Sequence, residues 1–252
     1  MTDVRFFARR YGPPPREARP SFVLVHGLGL SGRYFVPLAR RLAAGGASVL
    51  VPDLPGNGRS RSAVRRAPDV GQLADALAHG LAHGLGRAFS TGPTVLVANS
   101  VGCQVVAALA ARHPHLVSHL VLVGPALDPG ASGLRQFGRL VADAPREPLS
   151  LLALAGFDYL VTGPLRCAAA FRHSLRDAAA AFEANLSRVR APTLVVRGAG
   201  DTIASDAWTR RVADLVADGY ARDLPDAAHA AHFGAPDALA ALIENFTAGE
   251  PG

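Results

Sequence analysis

Short apolar, β-branched runs alternate along the chain with stretches of helical period. Ser21–His26, Ser48–Pro52, Thr94–Ala98, His119–Val123 and Thr193–Arg197 have the length and the Val/Leu content of buried strands. Tyr220–Leu224 reads as a further short strand. Between these runs, Tyr34–Ala44, Val70–Ala88, Val101–Arg112, Ser205–Val216 and Pro236–Phe246 carry helical patterns. Gly45-Gly46 ends the first, Pro114 stops the third, and Pro236 opens the last. Strands that alternate with helices predict βαβ units and a mostly parallel sheet, the α/β class.

From Pro129 to Arg188 the rhythm breaks. No convincing strand occurs there, and Leu134–Ala142, Pro148–Leu154 and Leu165–Phe182 read as helices separated by Pro and Gly. An all-helical insertion between two strands of a parallel sheet sits over the strands' carboxyl ends, where ligands bind in open α/β sheets. The expected organisation is therefore a core of residues 1–128 and 189–252 with a helical cap over 129–188. The alternative is a set of ordinary packing helices. Internal repeats are absent, and low complexity is limited to Pro13-Pro14-Pro15 and alanine-rich helix surfaces.

Composition changes this picture little. The chain has 252 residues, 49% of them hydrophobic, enough for one α/β domain with an insertion and a large core. It contains no lysine, so all 26 basic residues are arginine, and the net charge is +6. The arginines are scattered and accompany no zinc-finger spacing or aromatic RNA-binding motif, so no nucleic-acid partner is expected. Two cysteines, Cys103 and Cys167, cannot form a disulfide framework. Met1–Tyr11 lacks an apolar signal region, and the longest apolar runs are too short to span a bilayer. A cytoplasmic protein with no membrane partner, a monomer or homodimer, is the expectation.

Candidate chemistry clusters at strand ends. Ala98-Asn99-Ser100-Val101-Gly102 follows a strand and opens a helix. A sharp strand-to-helix turn of this kind lifts a serine hydroxyl into the open and requires small residues two before and two after it, here Ala98 and Gly102. The N–H of Val101 would point to a developing oxyanion. A plain helix N-cap is the competing reading of Ser100. His26-Gly27-Leu28-Gly29 ends the first clear strand; the Leu28 N–H is a second candidate oxyanion donor, and His26 reads as a loop-holding residue. Asp201 lies just after Thr193–Arg197, well placed to orient a histidine, and Asp128 is a second candidate acid. His229 and His232 follow the last strand, and one of them would be the general base. No metal site is expected there. Cys103 and Trp208 read as packing residues, and Asp53 as a loop anchor.

Together these motifs resemble the α/β-hydrolase fold superfamily over nearly the whole chain. His26-Gly27 is similar to its oxyanion loop, Asp53–Ser60 to its Asp-x-x-Gly-x-Gly-x-Ser loop, Ala98–Gly102 to its nucleophile elbow and Gly198–Asp201 to its acid loop. His229 stands seven residues before Pro236, the family's histidine spacing, which favours it over His232. The resemblance implies a mostly parallel sheet flanked by helices, a capped serine hydrolase branch, and no cofactor. It implies Ser100, Asp201 and His229 as catalytic residues, Leu28 and Val101 N–H groups as the oxyanion hole, and Asn99 and His26 as substrate contacts. A serine nucleophile argues against the epoxide and halide branches, which need a carboxylate.

The leading expectation is hydrolysis of a carboxylic ester, or a similar acyl bond, of a small apolar molecule. Asn99-Ser100 is also similar to the pair in meta-cleavage-product hydrolases, and Arg166, Arg172 and Arg176 of the cap could hold a carboxylate. Carbon–carbon bond cleavage in a keto compound is therefore the alternative. A ligand-binding module with a silent triad is the third reading.

Overall fold

The structure is a computed structural model, and it describes residues 6–15, 19–84 and 92–249. Seven strands form one sheet: β1 (Ala8–Tyr11), β2 (Ser21–Val25), β3 (Ser48–Pro52), β4 (Thr94–Asn99), β5 (His119–Val123), β6 (Thr193–Gly198) and β7 (Gly219–Leu224). Their order is β1-β3-β2-β4-β5-β6-β7, and every pairing is parallel except β1 with β3. The predicted α/β class and six of the strands are thus present.

Alternation along the central strands feeds two separate cores. On one face Val23, Val25, Leu96, Ala98, Leu120 and Leu122 belong to one cluster. On the other Phe22, Leu24, Val95, Val97, Val121 and Val123 belong to another. Both faces are covered, which is why these strands read as unbroken apolar runs. Helices α2 (Val70–His79), α3 (Gly102–Arg112) and α8 (Asp206–Asp214) pack on the first face. Helices α1 (Val36–Ala44) and α10 (Pro236–Thr247) pack on the second. Helix α2 continues as a π-helical turn over Gly80–Gly84, where two glycines weaken the α-helical ladder. Residues 85–88 of the predicted helix lie outside the described residues.

Strand β1 has no counterpart in the sequence reading. An edge strand has one neighbour and needs no apolar run, and Arg9 and Arg10 obscure it. Arg9 instead reaches Asp53, which is fully buried beyond β3 and also accepts from the N–H groups of Gly32 and Arg59, each at 2.8 Å. Asp53 is the loop anchor the sequence suggested.

Between β5 and β6 run α4 (Gly133–Asp143), α5 (Leu149–Thr162), α6 (Pro164–Ala180) and α7 (Phe182–Leu186). Helix α5 extends eight residues past the predicted end at Leu154. Helix α7 behaves as core rather than cap: Phe182 and Leu186 are completely buried in the cluster that holds α3 and Trp208. A four-residue helix, α9 (Ala231–Gly234), follows β7.

The chain runs from β2 to β3 on one side and then to β4 on the other. This reversal leaves a crevice at the carboxyl ends of β2 and β4, the favoured ligand position in such sheets. The end of β6 is also closely fitted. A Cβ on Gly198 would lie 2.2 Å from the Ala228 carbonyl oxygen and 2.4 Å from that of Ala227. Only glycine lets the loop after β7 approach β6 so closely. Gly198→Ala is expected to cost about 1–3 kcal/mol of stability, the usual cost of overpacking. Denaturant unfolding measures it, and an unchanged midpoint would show the loop to be freely adjustable.

Candidate active site

The turn from β4 into α3 holds Ser100 at φ +59°, in the left-handed region that a non-glycine residue rarely occupies. Two backbone bonds keep it there: the Ser100 N–H donates to Val123 O and the Cys103 N–H to Ser100 O, both at 3.0 Å. Close approach on both sides demands glycine. A Cβ on Gly102 would sit 2.7 Å from Val25 O, and one on Gly27 would sit 3.2 Å from Ser100 Cβ. Val101 precedes the first turn of α3, whose leading N–H groups have no carbonyl within the helix and carry the positive end of its dipole. Leu28 and Val101 both line the cavity beside Ser100.

His229 and Asp201 meet at the same place. His229 Nδ1 lies 2.9 Å from Asp201 Oδ2. The other carboxylate oxygen of Asp201 accepts from the N–H groups of Ile203 at 2.7 Å and Ala204 at 2.9 Å. Burial opposes the ionised carboxyl, but His229 and these two donors outweigh it and hold Asp201 below its ordinary range. Burial likewise opposes the imidazolium, yet the Asp201 charge and hydrogen bond, helped by Asp143 and Glu147, lift His229 above its ordinary value. His229 Nε2 is buried with no hydrogen-bond partner. Gly124, at φ +52°, makes the pairing possible, because a Cβ there would lie 2.9 Å from both Asp201 Oδ2 and His229 Nδ1.

The competing candidates sit elsewhere. Asp128 accepts from the Gly130 N–H at 2.8 Å in a local turn. His232 is fully buried, its ring 4.2 Å from those of Tyr34 and Phe35, and burial keeps it neutral. Cys103 packs without exposure, and Trp208 donates to Pro125 O at 3.1 Å inside the core.

His26 requires a correction. It does not line the cavity with Ser100, and both ring nitrogens are used. Nε2 accepts from the Leu54 N–H at 2.9 Å, which leaves the proton on Nδ1 to be donated to Gly27 O at 2.9 Å. It fastens the Gly27 loop to the loop after β3, as a neutral imidazole held so by burial. Asn99 does border the cavity, but its amide is committed too. It donates to Val123 O and to His229 O, each at 3.0 Å, and accepts from the Tyr34 hydroxyl. Tyr34, whose hydroxyl burial keeps protonated, in turn accepts from the Gly27 N–H at 3.3 Å. Asn99 thus ties the Gly27 loop to the histidine loop. Nothing in the local pattern around Tyr34 marks this role.

The cavity has a volume of about 220 Å³ and is walled mostly by apolar groups. Leu140, Leu151, Ala155 and Phe171 come from α4, α5 and α6. Two acids interrupt this wall. Asp143 accepts from the N–H and hydroxyl of Thr202 at 3.1 and 3.0 Å. Glu147 accepts from the Ala230 N–H at 2.7 Å, and burial, reinforced by Asp143, pushes it up to about 7. Neither acid carries a sequence motif. No arginine lines the cavity among the described residues. Arg166 spends its guanidinium on the backbone carbonyls of Gly56, Arg61 and Arg65, and Arg172 and Arg176 are exposed. The arginine-held carboxylate that motivated carbon–carbon cleavage therefore has no support here.

Residues 22–242 match the model of the alpha/beta hydrolase family. The chain is 30% identical over 264 aligned positions to the pimeloyl-[acyl-carrier protein] methyl ester esterase of Aromatoleum aromaticum, covering 92% of this chain and 99% of that one. It is 26% identical to a monoacylglycerol lipase of Mycolicibacterium smegmatis, covering 81% and 78% of the two chains. Among solved structures, an esterase from Thermogutta terrifontis superposes with a TM-score of 0.76 at 22% identity, over 98% of this chain and 94% of that one. MenH from S. aureus superposes with a TM-score of 0.75 at 18% identity, over 97% and 99%. At such identities the two structures speak for the fold alone. The chain belongs to the alpha/beta hydrolase family and is a hydrolase enzyme.

Proposed function

We propose that this hydrolase cleaves carboxylic esters of small, apolar acyl substrates through Ser100, His229 and Asp201. The observation that carries the reading is His229. Its Nδ1 is fixed by Asp201 at 2.9 Å, and its Nε2 is left unpartnered at the cavity that Ser100 also lines. The esterase and lipase names of its relatives support an ester bond. A volume of about 220 Å³ supports a small substrate, because pockets for drug-sized ligands run from about 300 to 1,000 Å³. Helices α4 to α6 serve as the cap over it.

The steps follow from these positions. Ser100 Oγ attacks the ester carbonyl as its proton passes to His229 Nε2. Negative charge develops on the carbonyl oxygen, facing the Leu28 and Val101 N–H groups and the positive end of α3. The carbon–oxygen bond to the alcohol breaks, and the alcohol leaves with the proton from His229. Water then gives a proton to His229 and attacks the acyl carbon, releasing the acid and restoring Ser100. Asp201 keeps the histidine tautomer correct throughout. Tyr34 and Asn99 hold the two loops in register without touching the reacting atoms. No metal or organic cofactor enters these steps.

Ser100→Ala is expected to lower kcat on short aryl esters by roughly 10⁴-fold or more. It should also abolish labelling by a fluorophosphonate probe. Full turnover in that variant would sink the mechanism.

The pH profile tests the base. His229 must be neutral to accept the proton, and its pKa is raised. The rate constant kcat/KM is therefore expected to fall as pH drops through a value above the ordinary 6.5. Glu147→Gln removes one of the charges that raise it, so the acid limb should move to lower pH. A limb that stays in place, or moves upward, would disprove the coupling.

Asn99→Ala is expected to reduce kcat more than it changes KM, because it releases the His229 backbone rather than a substrate contact. Steady-state kinetics on the same ester separates the two parameters, and a pure KM effect would make Asn99 a binding residue after all.

A further inference from the structure

Of the cap helices, α4 is inverted with respect to water, and α5 carries apolar side chains on its outer side as well as its inner one. On α4 the buried side chains are Gln136 and Asp143, while Leu134, Phe137 and Val141 point outward. On α5 Leu151, Asp158 and Thr162 are buried, while Leu149, Phe157 and Leu160 point outward. Each of these six apolar side chains is more than half exposed. Among the described residues, every exposed large apolar side chain lies between Leu134 and Leu165. Spacings of three, four and seven on α4, and of three, eight and eleven on α5, place each set on one side of its helix. Elsewhere in the chain, by contrast, the helices bury their apolar stripes in the ordinary way.

The inward polar groups have a clear task. Asp158 accepts from the Ser31 N–H at 2.8 Å and hydroxyl at 2.7 Å and pairs with Arg33. The Thr162 hydroxyl donates to Gly29 O at 2.9 Å. These bonds fasten the cap to the core, but they do not explain the outward leucines. Large apolar side chains exposed together on two successive helices point to an apolar neighbour, since such gathered exposure marks interaction surfaces.

Charge identifies the neighbour. From the start of α4 to the end of α5 there are three arginines, Arg135, Arg139 and Arg146, and three acids, Asp143, Glu147 and Asp158. Asp143 and Asp158 are buried and Glu147 lines the cavity, so none of the three faces outward. Arg135 and Arg146 are exposed beside the leucines. Helices that turn apolar side chains and arginines to the outside and no acids fit the surface of an anionic lipid bilayer, with the leucines among the acyl chains and the arginines at the headgroups. The face is also continuous with the active-site cavity, because Leu140 is both exposed and part of its wall.

We propose that the outer face of α4 and α5 docks on anionic phospholipid surfaces, so that substrate enters the cavity from the lipid side. The short apolar runs exclude only a membrane span: no helix among the described residues is long and apolar enough to cross a bilayer. They say nothing against a helix pair lying on the surface. The inference rests on the surface alone and is independent of the esterase chemistry.

The test uses the full chain carrying Ser100→Ala, so binding is read without turnover. Co-sedimentation compares vesicles of phosphatidylcholine mixed with phosphatidylglycerol against phosphatidylcholine alone. The chain is expected to bind the mixed vesicles more tightly, with affinity falling as salt rises. Leu134→Glu with Leu160→Glu should weaken binding by roughly tenfold or more, since both side chains would otherwise enter the apolar layer. Arg135→Ser and Arg146→Ser should each weaken binding to the anionic vesicles by roughly fivefold. All four side chains are exposed, and an unchanged thermal midpoint confirms that each variant is folded. The proposal is overturned if the chain binds neither vesicle, or if the glutamate variant binds as well as its parent. It is equally overturned if the face proves to join two copies of the chain, seen as a concentration-dependent dimer that the glutamates abolish without any vesicle binding.

Discussion

The left-handed turn at Ser100 constrains everything around it. A non-glycine residue at φ +59° costs on the order of 1–3 kcal/mol, which the surroundings must offset. They do so with Asn99 and Ser100, whose amides bond the neighbouring strand and the histidine loop. The geometry then dictates small residues at each approach: Gly102 against the end of β2, Gly27 against Ser100 itself, and Gly124 against the Asp201–His229 pair. These glycines are one feature seen from three strands. Each clears space for the same point at the carboxyl edge of the sheet.

That is also why so much of the candidate site was legible in the sequence. A sharp turn needs glycine at fixed offsets, and strand ends in a parallel sheet all face one way, so chain order and strand order together locate Ser100, Asp201 and His229. Asp201 and Asp128 could not be separated in this manner, because both follow a strand of the right kind. Only the third dimension shows Asp201 bonded to the histidine and Asp128 closing its own turn. At His26 two readings parted, the loop-holding residue suggested by the chain and the substrate contact implied by the resemblance. A buried imidazole between a donor and an acceptor has no hydrogen-bonding capacity left for substrate, so the loop-holding reading stands.

The fold was legible for a related reason and failed where that reason lapses. Central strands covered on both faces must be apolar throughout, and they announce themselves. Strand β1, with a single neighbour, carries two arginines and is invisible to the same reading. The insertion between β5 and β6 was recognised by what it lacks, yet its internal boundaries blurred. Helix α5 is apolar almost all round, so no polar stripe marks its end, and α7 returns to the core without any break in composition. Glu147, Asp143 and Tyr34 belong to the site only through tertiary contacts, and no spacing in the sequence points to them.

The inverted helix of the cap and the raised pKa of His229 are linked through those two acids. A helix that turns leucines outward must turn something else inward, and on α4 that includes Asp143, with Glu147 just beyond its end. Both then face a largely apolar cavity, where water screens them poorly. Their charge favours a protonated His229. In the proposed reaction that stabilises the imidazolium formed when the serine proton moves, at the expense of the neutral base available beforehand. Glu147, lifted to about 7, moderates the exchange: as pH falls it accepts a proton and withdraws part of the charge that raises the histidine. The polarity of the cap's inner wall therefore enters the electrostatics of the base, while its apolar outer wall is left to meet whatever lies beyond the protein.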